Sequence, residues 1–498
     1  MMYISTRDKK NMVSAAQAIT HGLANDGGLF LPISTPKFDL DDIKALMGKN
    51  YVERAITILS GFLEDFTEEE LRYAVSHAYT PEKFGEVPVP LVNLNNNTAV
   101  LELWHGPTSA FKDMALQLLP YLLTMSLTKT GEDSRIVILV ATSGDTGKAA
   151  LEGFANVAGT QIIVFYPSEG VSEIQKRQMI TQEGNNVNVF GIRGNFDDAQ
   201  TGVKEIFSKN SIRETLHKNG FIFSSANSMN WGRLAPQIVY YFSAYCDAIK
   251  AKKISLGEEI NFVVPTGNFG DILAGYYAKL MGLPVKKLIC ASNNNNVLTD
   301  FINTGIYNKN REFYKTTSPS MDILVSSNLE RLLYLVSGGN DQKIKERMDN
   351  LKTNGTYEIS KAELESIQKD FFGAWVDEIE VKESIKHVYD EYAYLMDTHT
   401  SVGYRALKKY RNLTGDETYS VVLSTASPFK FSDAVLGALE NNDRIKGAPF
   451  DILRKLAEKT GEQVPLPMLE LEEAPILHDR VIEAVAMENI VLDSLIKG

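Results

Sequence analysis

Runs of consecutive apolar residues alternate along this chain with stretches whose apolar positions recur at helical spacing. The runs fall at 99–103, 136–141, 161–166, 187–192, 221–225, 261–265, 287–291 and 419–424. Short apolar runs bounded by polar turns suit strands buried on both faces of a parallel sheet, where neither side of the strand meets water. Between them, 148–158, 196–207 and 236–250 carry helical periodicity. The alternation predicts βαβ units, and so an α/β architecture with ligands at the carboxyl ends of the strands.

Two regions depart from this pattern. At 39–48 and 67–76, short amphipathic segments open on Asp39 and Thr67, residue types whose side chains cap helix N-termini. Pro81, Pro88 and Pro90 then mark a boundary. From 328 to 395 charged, helix-forming stretches dominate, at 342–351, 361–372 and 384–396, which predicts a helical appendage. The strand pattern resumes at 419, so the core is discontinuous in sequence. The expected organisation is an N-terminal domain at 1–95, a first α/β domain at 96–225, and a second at 226–498 interrupted by the appendage at 328–395.

Composition narrows the class. The chain has 498 residues, 44% hydrophobic and 23% charged, values typical of a packed globular protein. Its formal net charge of −12 argues against nucleic acid as a partner, though an acidic protein can still hold a local basic pocket for a small anion. The two cysteines, Cys246 and Cys290, sit in apolar stretches; they could form one disulfide, but the expected reading is two buried thiols of a reducing compartment. The opening Met-Met-Tyr-Ile-Ser-Thr-Arg-Asp lacks the apolar core of a secretory signal. No apolar run approaches the roughly 20 residues that span a bilayer. A cytoplasmic protein without a membrane partner is expected.

Three glycine-bearing turns follow predicted strands, where anion sites form. The turn Thr142-Ser-Gly-Asp-Thr-Gly-Lys-Ala-Ala150 resembles a P-loop only superficially. That motif needs Gly five residues before its Gly-Lys pair and Ser or Thr after it, where this chain has Thr142 and Ala149. Its backbone amides could hold a carboxylate, or the segment could simply turn the chain. The same two readings apply to Thr266-Gly-Asn-Phe-Gly-Asp271, which lacks the three-glycine register of a dinucleotide site. In the third, His105-Gly-Pro-Thr-Ser-Ala-Phe-Lys-Asp113, Lys112 falls at the start of an amphipathic pattern that Pro120 should kink. A solvated surface lysine is the default; a lysine at the positive end of a helix would instead have a lowered pKa and act as nucleophile and base. Scattered histidines give no metal signature, and Gly-x-Ser-x-Gly is absent.

Taken together these segments resemble the threonine synthase family, fold-type-II pyridoxal-phosphate (PLP) enzymes of the tryptophan synthase β-like superfamily. The resemblance begins at Gly22-Leu-Ala-Asn-Asp-Gly-Gly-Leu-Phe-Leu-Pro32 and runs through 105–113, 141–147, Asn227-Ser-Met-Asn-Trp-Gly-Arg233, 267–271, 320–331 and 397–403, ending at Ser424-Thr-Ala-Ser-Pro-Phe-Lys-Phe431. It implies two parallel-sheet α/β domains with a small N-terminal domain, and PLP as cofactor. Lys112 would carry the imine, Gly267, Asn268, Phe269 and Gly270, leading to Asp271, would cradle the cofactor phosphate, and Thr425 would meet the ring nitrogen. Ser143, Gly144 and Thr146 would bind the amino-acid end of the substrate. Ser228, Asn230 and Arg233 would hold its phosphate.

The implied reaction is conversion of O-phospho-L-homoserine and water to L-threonine and phosphate, by a monomer or homodimer. Another PLP-dependent lyase or dehydratase, or a non-catalytic homologue, is the alternative. Three positions depart from the family's usual residues. Ser427 replaces a His, Thr398 replaces a Pro, and Asp145 stands where related enzymes carry Asn against the ring's phenolic oxygen. The role of Asp145 is open at this stage.

Overall fold

The structure is a computed structural model that describes residues 1–142, 144–168, 171–442 and 445–496. Two sheets form its framework. The larger has six strands in the order Phe371–Trp375, Val285–Ser292, Ile260–Pro265, Ser420–Ser424, Thr98–Glu102 and Leu91–Asn93, parallel except for the last, antiparallel strand. The smaller has five parallel strands, ordered Val481–Glu483, Val187–Arg193, Thr160–Pro167, Arg135–Ala141 and Phe221–Ser224. All eight apolar runs of the sequence are strands, within two residues of the expected bounds. The sheets interleave along the chain, since Thr98–Glu102 precedes the smaller sheet yet pairs with Ser420–Ser424.

The N-terminal region adds a three-stranded antiparallel sheet, Met12–Ser14, Met2–Ser5 and Phe30–Pro32, and the helices Leu40–Met47, Tyr51–Ser60 and Glu68–Ala78. Asp39 and Thr67 cap their helices in capping boxes with Asp42 and Glu70, as their residue types predict. The stretch 328–395, expected to be helical, holds helices at Leu329–Val336, Asp341–Thr353, Lys361–Asp370 and Glu378–Tyr392, but also two strands. Thr356–Glu358 pairs with Ile306–Asn308, and Phe371–Trp375 is the edge strand of the large sheet.

The helix Trp231–Lys250 binds these parts together. Nearly every residue along it is buried, as expected of a helix without a continuous polar face. At its start Trp231 is wholly enclosed, with ring centroids of Tyr3, Phe62 and Tyr277 at 5.4, 5.6 and 5.2 Å. Burying each such side chain contributes about 1.5–3 kcal/mol, so the aromatic cluster anchors the N-terminal region to the helix that leads into the site. Cys246 and Cys290 are buried free thiols, pushed up to about 11 and about 12 by burial.

Candidate active site

The carboxyl ends of both sheets open onto one cleft of 2260 Å³. Lys112, Asp145, Thr146, Ser228, Arg233, Gly267, Asn268, Phe269, Gly270, Asp271 and Thr425 line it, so most residues singled out in the sequence meet in one place. Ser143 lies outside the described residues.

Lys112 does not head a long helix. It precedes the four-residue helix Asp113–Leu116, and a separate helix, Leu119–Thr130, begins with Pro120 in its first turn. Proline is accommodated there because the first helical N–H has no partner to lose. The expected kink is therefore a break, and a helix of one turn supplies little dipole. Burial is what pushes the Lys112 ammonium below its ordinary value. The Asp145 carboxylate opposes that shift, while the charges of Lys430 and Arg233 reinforce it. Lys112 Nζ lies 3.7 Å from Asp145 Oδ2 and donates to Ser320 Oγ at 3.4 Å. Asp113, fully buried, accepts from the Thr108 amide at 2.8 Å and hydroxyl at 2.7 Å, which folds the preceding loop back on itself.

The carboxylate of Asp145 is tightly held. Lys430 Nζ, itself wholly buried, stands 2.6 Å from Oδ1, Gln175 Nε2 donates to the same oxygen at 2.9 Å, and Ser320 Oγ donates to Oδ2 at 3.3 Å. Burial alone would raise this carboxyl; the adjoining Lys430 and Lys112 charges and the donated hydrogen bonds overcome it and hold the group well below the usual carboxylate range. The helix Asp145–Phe154 starts at Gly144, whose φ of 149° only glycine adopts readily, and a Cβ there would meet Gln175 at 2.5 Å. Thr142 Oγ1 accepts from the amides of Gly144 and Gly147 at 3.0 and 2.9 Å, which fixes the turn.

The glycine turn after Ile260–Pro265 is equally close-packed. A Cβ on Gly267 would stand 2.6 Å from the Ser320 carbonyl oxygen. Phe269 adopts φ 63°, an uncommon conformation for a bulky residue, and its ring packs on Phe371 at 5.7 Å between centroids. The helix Gly270–Met281 follows directly. Asp271 in its first turn lines the cleft; one oxygen accepts from two tyrosines, the other has no hydrogen-bond partner, and burial pushes the carboxyl up to about 6.

Arg233, in the first turn of Trp231–Lys250, is buried and makes no ion pair among the described residues. Its Nη1 donates to the Ala226 carbonyl at 2.8 Å, and its Nε has no partner. Ser228 lines the cleft beside it and accepts from Asn328 at 3.3 Å. Asn230 does not face the cleft. Its side chain caps the helix through the Gly232 amide at 2.9 Å and donates to the carbonyls of Ile19 and Ser225.

Several residues given no role in the sequence reading also build the site. Besides Lys430, Gln175 and Ser320, Asn328 donates to the Asn268 carbonyl at 3.1 Å. Arg331 bonds Asn328, the Phe30 carbonyl at 2.8 Å and the Met229 carbonyl at 2.6 Å, joining the glycine turn to the N-terminal sheet. His399 shares its Nδ1 with Asp397 at 2.7 Å and accepts from the Ser320 amide through Nε2 at 3.2 Å. Ser427 takes no part in the cleft; it caps the turn Pro428–Phe431, which carries Lys430.

Three family models match the chain: "Threonine synthase N terminus" at 2–79, "Pyridoxal-phosphate dependent enzyme" at 83–425 and "Threonine synthase, C-terminal" at 400–473. Threonine synthase-like 1 of Homo sapiens is 38% identical over 98% of this chain, which spans 65% of that relative's length. Threonine synthase of Pseudomonas aeruginosa is 40% identical, with 87% of this chain and 90% of the relative covered. Among solved structures, PLP-bound threonine synthase from Brucella melitensis superposes with a TM-score of 0.87 at 37% identity, covering 99% of this chain and 98% of that one.

Proposed function

This chain belongs to the threonine synthase family of PLP-dependent enzymes, and from that premise we propose that it converts O-phospho-L-homoserine and water into L-threonine and phosphate. The cofactor is PLP. The residues present fit that group: a largely buried amine at Lys112, a turn at 267–270 where the space beside Gly267 excludes a Cβ, and the Thr425 hydroxyl all line one cleft. In this reading Lys112 would hold the cofactor covalently, Gly267, Asn268, Phe269, Gly270 and Asp271 would cradle its phosphate, and Thr425 would offer its hydroxyl to the ring nitrogen. When bound, the cofactor supplies the electron sink that lets a proton leave Cα and phosphate leave Cγ.

The chain's own groups do the rest. The Lys112 amine, whose ammonium form burial disfavours, would accept and return protons at Cα and Cβ. Backbone amides around Gly144 and Thr146, with Ser143, hold the substrate carboxylate. Ser228 and Arg233 hold the substrate's phosphate. Asn230 supports them by capping the helix that carries Arg233 rather than by touching substrate.

One observation carries the choice of a phosphorylated substrate. Arg233 is a buried guanidinium with no acidic partner among the described residues, lining the same cleft as Lys112. A buried charge is costly until it is paired, and a planar guanidinium pairs best with a tetrahedral oxyanion it can grip with two donors. Purified protein with PLP and O-phospho-L-homoserine should release threonine and phosphate in equal amounts. Release of a keto acid in place of threonine, or no turnover at all, would overturn the proposal.

A further inference from the structure

Lys430 lines the same cleft as Lys112. It sits in the turn Pro428–Phe431, with its side chain wholly buried. Its ammonium touches two acceptors, Asp145 Oδ1 at 2.6 Å and the Thr108 carbonyl at 3.0 Å. Asp145 thus stands between two lysines, with Oδ1 toward Lys430 and Oδ2 toward Lys112 at 3.7 Å. The contacts differ in kind. Lys430 makes a direct, short ion pair, whereas Lys112 lies beyond hydrogen-bond distance of the carboxylate and meets it through Ser320 Oγ.

We propose that Lys430 is a positioning residue that engages the Asp145 carboxylate and, through it, sets the reactivity of the Lys112 amine toward the cofactor's aldehyde. This rests on the PLP-dependent function assigned to Lys112. An unshared carboxylate beside Lys112 would stabilise the ammonium form, which cannot attack a carbonyl. Lys430 opposes that outcome twice: it neutralises Asp145, and its own charge disfavours a second ammonium close by. The other charged groups facing Lys112 are Arg233 from the helix Trp231–Lys250, Asp113 at the start of the short helix that Lys112 precedes, and Asp271 from the helix Gly270–Met281. Asp113 is bonded to Thr108 and Asp271 to Tyr240 and Tyr241, so neither substitutes for the short Lys430–Asp145 pair.

The test reads the amine directly, without turnover. The full-length chain, freed of cofactor, is labelled with trace fluorodinitrobenzene across a pH series, and the label on the peptide containing Lys112 is quantified by mass spectrometry. Lys430→Met should move the half-maximal labelling of Lys112 upward by about one pH unit or more. Lys430→Gln, which keeps a donor for Asp145 without the charge, should move it the same way and serves where methionine prevents folding. Asp145→Asn should move it downward, the Lys430→Met/Asp145→Asn pair should bring it back near the native position, and Lys430→Arg should leave it unchanged. An unmoved or lowered midpoint in a folded Lys430→Met or Lys430→Gln protein overturns the proposal. Failure of the native chain to bind PLP or form threonine would count against the enzymatic assignment and not against this pairing.

Discussion

Tyr240 donates its hydroxyl to Asp271 Oδ1 at 2.5 Å, and Tyr241 donates to the same oxygen at 2.8 Å. The second oxygen of Asp271 is buried without a partner. Burial pushes this carboxyl up to about 6, well above the ordinary aspartate range, against the pull of the two phenols. In the folded protein the group therefore keeps a proton that the unfolded chain releases. Stability is complete below the unfolded value and is lost as pH climbs through the folded one. Asp271→Asn removes the ionisation while keeping an acceptor for the tyrosines. Relative to the native chain, the cofactor-free variant should gain about 1–2 kcal/mol between about pH 5 and pH 8. Thermal melts at the two pH values check this; a difference that stays constant with pH would exclude the assigned titration.

The Gly267 turn makes a sharper demand. A Cβ there would stand 2.6 Å from a backbone oxygen, that of Ser320, which cannot swing aside as a side-chain end can. Gly267→Ala must displace either the turn or the Ser320 segment, and the same segment holds the hydroxyl between Lys112 and Asp145. We expect PLP affinity to fall by at least about tenfold, roughly 1.4 kcal/mol, measured by fluorescence titration of the cofactor-free protein.

What was legible in the sequence follows from burial. Seven of the eight predicted strands are internal to their sheets and largely shielded from water, so they read as apolar runs; the eighth, Phe221–Ser224, is an edge strand whose residues are nonetheless mostly apolar. Phe371–Trp375 escaped because it starts where the charged helix Lys361–Asp370 ends, and its first two residues fall within the stretch 361–372 expected to be helical. Val481–Glu483 escaped because it has three residues and only one buried, Ile482. In the site, Lys112 and the 267–271 turn were marked by ordered motifs. Lys430 was not, since a lysine in Ser-Pro-Phe-Lys-Phe has no local signal; its meaning lies in Asp145, far away in the chain. Asn230 had the opposite fate. Its motif position suggested a ligand, while its side chain caps the helix Trp231–Lys250.

Arg331 binds three separate segments through one guanidinium, and its side chain is fully enclosed. Arg331→Met preserves much of the volume but strips donors from the carbonyls of Phe30 and Met229. Each lost charged hydrogen bond costs about 1.5–3 kcal/mol, so the thermal midpoint should drop clearly. The release of Asn328 should also loosen the Asn268 carbonyl it holds. A variant with weakened PLP binding but a native melting point would place the role of Arg331 in the cleft alone.

Arg233 and Lys112 line one cleft, yet their substitutions should separate cleanly. Lys112→Ala removes the amine proposed to link to PLP, so the lysine-bound absorption of the cofactor should be lost along with turnover. Arg233→Lys keeps a positive charge but not the planar pair of donors. It should retain the cofactor's absorption while kcat/KM for O-phospho-L-homoserine falls by about 100-fold or more, the cost of losing one preorganised donor to a departing anion. Added inorganic phosphate should inhibit the native protein competitively and the Arg233→Ala protein far less, because the group proposed to bind it is gone. Since buried Arg233 Nη1 also bonds the Ala226 carbonyl, melting curves of both variants must be compared with the native chain. Loss of phosphate inhibition in a stably folded variant assigns the oxyanion to Arg233; unchanged inhibition removes it from the substrate site.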